Sequence, residues 1–316
     1  MISGRLMMDQ WGGLGAGERE AAARVLGDML LAAGFPLEFK ALQKVSPYSP
    51  ETLGIPAPTS TVAVFLDQRH GLEWVLVPGG VQRSWGDRER KLIKGALEAI
   101  DSWVLEEGEP MPRLEDVRPY GAAEFEFGSM FRSDANLAPF LTTPAPILGS
   151  TRSLPQFAPK RSRLLKLTPE PQVFTVHRDE LEEILEPRGW ALPDAHQSQW
   201  MTGAGQWIFP WGDTLPNWMV EGAGSFEHHF RFGSNRDGVD WARASAFGLV
   251  DALVASHWVL DGERLSWSGG SGECYPWQAC GEWAGFITAA VVPEPVKTEP
   301  WVSHALRPII ELAPLM

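Results

Sequence analysis

Apolar residues recur at helical spacing between Glu18 and Gly34. Val25, Leu26, Met29, Leu30 and Ala33 fit a 3.6-residue repeat, and Gly34 followed by Pro36 is a stop signal. The pattern predicts a helix there. Thr61–Leu66 and Glu73–Val77 are short apolar runs with a turn between them and Pro78-Gly79-Gly80 after the second, which predicts two strands. A second helix is predicted over Arg88–Glu106, where Leu92, Ile93, Ala96, Leu97, Ile100 and Trp103 form one stripe with charges opposite, the mark of a packed core face. A short helix is predicted over Arg178–Leu185, ended by Pro187 and Gly189. Residues 46–60, with Pro47, Pro50, Pro56 and Pro58, read as a loop, and residues 153–172 as a basic, Pro-rich connector. No segment repeats another.

Composition sharpens this picture. The 316 residues include 15 Trp against 3 Tyr, with 32 Gly and 26 Pro. Glycine supplies turns and proline removes a backbone donor, so short elements, long irregular loops and a tryptophan-rich core are expected. Hydrophobic residues at 44% and charged residues at 21% suit a globular protein rather than a disordered chain. The net charge of −13 opposes binding to nucleic acid, which needs clustered Lys and Arg. The one basic cluster, Lys160, Arg161, Arg163 and Lys166, reads as a solvated loop. No apolar run reaches the roughly 18–20 residues of a membrane span. Met1–Gln10 lacks the charged start and apolar core of a signal peptide. The expectation is therefore a cytoplasmic, reducing setting with no membrane partner, in which the two cysteines, Cys274 and Cys280, are thiols rather than a disulfide.

A series of short motifs is more specific. Trp74-Val75-Leu76-Val77-Pro78-Gly79-Gly80 is followed by Pro139-Phe140-Leu141 and Pro146-Ile147. Then come Leu192-Pro193-Asp194-Ala195, Trp200 and Phe209-Pro210-Trp211-Gly212-Asp213. Phe247-Gly248-Leu249-Val250-Asp251 leads on to Ser268-Gly269-Gly270-Ser271, Cys274 and Gly285-Phe286. Taken in this order the chain resembles the formylglycine-generating enzyme (sulfatase-modifying factor) family over residues 72–292, as a divergent member. The resemblance implies a loop-rich α+β fold of the C-type-lectin-like kind, here with an extra N-terminal helix. It also implies three parts: an N-terminal helical and loop extension (1–71) packed on the core, the family domain (72–292), and a Pro-rich C-terminal tail (293–316). The fold requires residues 192–213 to close onto residues 247–286.

The family oxidises a cysteine of a client protein to formylglycine with Cu(I) and O2, and holds copper with two thiolates. Soft thiolate sulfur suits Cu(I), and both thiols must lose their protons on binding. The resemblance puts Cys274 at the first copper position, Cys280 as the candidate second, and Ser271 at the oxygen pocket. The family has four residues between its two cysteines; this chain has five. Residues six apart in a straight strand are about 20 Å apart, so one metal needs a chain that doubles back, and Pro276 is a place for the bend. The plainer alternative is that Cys274 and Cys280 are small buried hydrophobes.

Departures from the family pattern weigh on function. Tyr275 stands where an Arg is common, and Ile287 replaces the Arg of the terminal Gly-Phe-Arg. Val254–Val259 lacks the Asn and Glu that help bind Ca²⁺ in the family, and hard Ca²⁺ needs oxygen ligands, so a calcium site is not expected. Two readings follow. The departures favour a non-catalytic module that binds a peptide or protein through loops around Gly203–Gly212 and Ser266–Trp283, with Trp267, Tyr275, Trp277 and Trp283 as aromatic anchors. The alternative is a copper-dependent oxidase using Cys274, Cys280 and Ser271. Glu227-His228-His229 reads as a solvated loop, because adjacent strand residues point to opposite faces. Gly12-Gly13-Leu14-Gly15 follows no strand and precedes no Lys, so it is not a phosphate loop.

Overall fold

The computed structural model describes residues 2–45, 60–84, 87, 134–147, 178–203, 245–249, 257–261, 264–268, 292–293 and 306–316. Within them the helices are α1 (Met8–Gly13), α2 (Ala16–Ala32), α3 (Arg178–Leu185) and α4 (Ala195–Gly203). The strands are β1 (Leu37–Val45), β2 (Ser60–Asp67), β3 (Glu73–Val77), β4 (Gly80–Gln82), β5 (Ala135–Leu137), β6 (Phe140–Thr142), β7 (His257–Asp261), β8 (Arg264–Ser268), β9 (Val292–Pro293) and β10 (Ile309–Glu311). The architecture is α+β, with antiparallel strand pairing throughout these strands.

The main sheet has the order β1-β2-β3-β6-β10, and its two faces take alternate residues. Ala63, Phe65, Trp74, Leu76, Leu141 and Ile310 belong to one core, which also holds Ala22, Ala23, Leu26 and Leu30 of α2 with Trp11 and Trp190. Val62, Val64, Val75, Val77, Phe140 and Ile309 belong to another, with Trp200 and Met201 of α4 and Phe247 and Leu249. A sheet covered on both faces explains why β2 and β3 read as continuous apolar runs instead of alternating ones. Smaller sheets pair β4 with β5 and order β7-β8-β9.

Four of the expected elements are present. β3 spans the predicted residues, β2 extends the predicted strand by one residue at each end, and α3 matches the predicted short helix. α3 passes into a 3-10 turn at Glu186–Arg188, and Gly189 closes it at φ 66°. α2 starts two residues earlier than the apolar repeat suggested, where Glu18 accepts a hydrogen bond from the Gly15 backbone at 2.9 Å. Its buried stripe also differs. Ala22, Ala23, Leu26, Gly27 and Leu30 face the sheet, whereas Val25 is 49% exposed. Small residues win because α2 lies close to β1: a Cβ on Gly27 would stand 3.4 Å from the Phe39 nitrogen. The predicted helix at 88–106 and the connector at 153–172 lie outside the described residues, as does the expected loop at 46–60 except for Ser60, which opens β2 instead.

The expected part boundaries both fall inside paired structure. The break at 71/72 lies between the paired strands β2 and β3, and the break at 292/293 lies within β9. Residues 1–71 supply two of the five strands of the main sheet, and β10, from the C-terminal tail, is its edge strand beside β6. Among the described residues no helix is long and apolar enough to cross a membrane.

Candidate functional site

The Pro78-Gly79-Gly80 and Leu192–Trp200 segments meet at the Trp200 ring. Its indole N–H donates to the Pro78 carbonyl at 2.7 Å, and its ring covers Gly80 so closely that a Cβ there would stand 2.4 Å from it. Gly79 is equally confined, since a Cβ would stand 2.4 Å from the Leu137 carbonyl oxygen of β5. The two glycines thus let β4, β5 and the Trp200 ring approach one another.

α4 is positioned by its own start. Asp194 accepts from the Gln197 backbone N–H at 2.7 Å, while the Gln197 side chain accepts from the Asp194 N–H at 2.8 Å, a reciprocal capping box. The Leu260 N–H of β7 donates to the Pro193 carbonyl at 2.9 Å. Farther along, the Ser245 hydroxyl donates to the Met201 carbonyl at 2.6 Å, and the Ser60 hydroxyl of β2 donates to the Ala246 carbonyl. Gly248 takes φ +72° against Val45 of β1. Residues 192–203 therefore pack against both 245–249 and β7, so the chain folds back between them.

A buried polar cluster lies beside Trp200. Gln82, fully buried at the end of β4, donates through Nε2 to Gln199 Oε1 at 2.8 Å and lies 3.2 Å from His196 Nδ1. Gln199 is buried and His196 is half-buried near the start of α4. One amide, Gln82, thus links the His196 imidazole to Gln199, an arrangement with one nitrogen ligand type and no second metal-binding side chain. Among the described residues no group of three or more His, Cys, Asp and Glu side chains could share a metal ion. The sequence offered no signal for this cluster, because its members are brought together only when β4 meets α4.

A second polar cluster is fully used by a turn. Asp67, buried at the end of β2, accepts from the backbone N–H groups of Arg69 and His70 at 2.8 and 3.1 Å and pairs with His70 Nδ1 at 2.8 Å. The His70 ring meets the edge of Trp190, over which Arg188 also lies. These contacts shape the β2–β3 hairpin and dock it on Trp190, after the turn that follows α3.

Of the residues singled out by sequence, Ser271, Cys274, Tyr275, Trp277, Cys280 and Trp283 lie outside the described residues, as do residues 204–212. Trp267 belongs to β8, where its backbone pairs with Trp258 on one side and Val292 on the other. It is therefore a strand residue rather than a loop residue, and β8 ends at Ser268, directly before Gly269-Gly270-Ser271. Trp258 stands where the resemblance puts the calcium-binding Glu. Its side chain is 2% exposed and belongs to the core with Leu265 and Trp190. Comparison of the chain with protein-family models, with curated proteins and with solved structures finds no match.

Proposed function

We propose that the protein is a non-catalytic peptide- or protein-binding module on a scaffold of the formylglycine-generating type. The observation that carries this reading is Trp258. Calcium in the family needs a carboxylate at this position, and here an indole packed into the apolar core occupies it. An indole supplies no oxygen ligand, and Ca²⁺ takes roughly six to eight of them. The residues present do not fit calcium. The sequence departures at Tyr275 and Ile287 point the same way. Support for the scaffold itself comes from the meeting of Pro78-Gly79-Gly80 with Trp200, whose core cluster also holds Phe247 and Leu249. The partner is a peptide or protein held by aromatic anchors among Trp267, Tyr275, Trp277 and Trp283.

Anaerobic titration with Cu(I), using the whole chain and its Cys274→Ser variant, tests the reading. Weak binding that the substitution leaves unchanged is expected. Tight one-to-one binding that the variant loses would overturn the proposal in favour of a copper-dependent oxidase that uses Cys274 and Cys280.

A further inference from the structure

We draw no further inference here: the strongest candidate, the Gln82–Gln199–His196 cluster between β4 and α4, presents a single imidazole joined to one amide, and nothing in the structure shows what it would bind.

Discussion

Gly248 is held by two separate constraints, and they can be measured apart. Its φ of +72° is one that an L side chain adopts at a cost of about 1–2 kcal/mol, and a Cβ would also stand 2.6 Å from Val45 Cγ1. Gly34 carries only the first constraint: φ is +92° and no atom lies within 4 Å of the added carbon. Gly80 carries only the second, against the Trp200 ring. Alanine at Gly34 should therefore cost about 1 kcal/mol, for backbone strain alone. Alanine at Gly80 should cost about 3 kcal/mol, because the ring it strikes is buried and hydrogen-bonded to Pro78. Gly248→Ala should be at least as damaging as Gly80→Ala. Urea unfolding reads the order directly as shifts in midpoint at constant slope. If Gly80→Ala proved neutral, the close packing of Trp200 on the Gly79-Gly80 backbone would be wrong.

Helix α4 shows what an element owes to its ends. Its sequence, Ala-His-Gln-Ser-Gln-Trp-Met-Thr-Gly, has no apolar stripe, yet everything from Ser198 to Gly203 is buried. Thr202 meets the cost of burial by donating to the Ser198 carbonyl at 2.8 Å, and Gln199 by accepting from Gln82. Such a helix draws little on propensity and depends on its capping box and on Trp200. Asp194→Ala should cost about 1 kcal/mol, and Asp194→Asn should restore most of it, since the amide oxygen can still accept from the Gln197 N–H. Thermal unfolding of the two variants checks this, and equal losses in both would show that the cap is idle. The contrast with α2 and α3 marks where sequence was legible. Those helices declare themselves through apolar spacing and a closing glycine, whereas α4 came to notice only through the resemblance of Leu192–Trp200 to a family motif. Strand β1 went unseen for a related reason. It is an edge strand whose interior residues are exposed or half-buried, including Glu38, Lys40, Gln43 and Lys44, and a bulge between Phe39 and Ala41 breaks its alternation. Lys40 pairs with Glu73 across the sheet, but both are about half exposed, so the pair adds less than about 1 kcal/mol and leaves no trace in an apolar pattern.

Across the whole molecule, local pattern could place strands but not choose their partners. The runs at 61–66 and 73–77 were readable because both faces of the sheet are covered; that β6 lies between β3 and β10 was not, because such pairing joins residues far apart in sequence. The same holds for Gln82 and Gln199, whose contact exists only once the chain has closed. The pairing has a consequence for any shorter version of the protein. The family resemblance suggested a domain at 72–292, with an extension at 1–71 packed on the core and a tail at 293–316. Both flanks supply strands of the main sheet. Removing residues 1–71 takes away β2, whose Val62, Ala63, Val64 and Phe65 are all buried, and leaves Val75 and Trp74 without their strand partners. Removing the C-terminal residues takes away β10, with buried Ile309 and Ile310, and fully buried Arg307, which donates to the Thr143 carbonyl at 2.5 Å. Large buried side chains contribute about 1.5–3 kcal/mol each, so the loss of Val62, Val64, Phe65, Ile309 and Ile310 alone is of the order of 10 kcal/mol. A whole domain is stable by only about 5–15 kcal/mol. A fragment of residues 72–292 should therefore show no cooperative thermal transition by circular dichroism, while the full chain does. A fragment that melts cooperatively, with the near-ultraviolet tryptophan signal of the parent, would mean that the central motifs close their core without β1, β2 and β10.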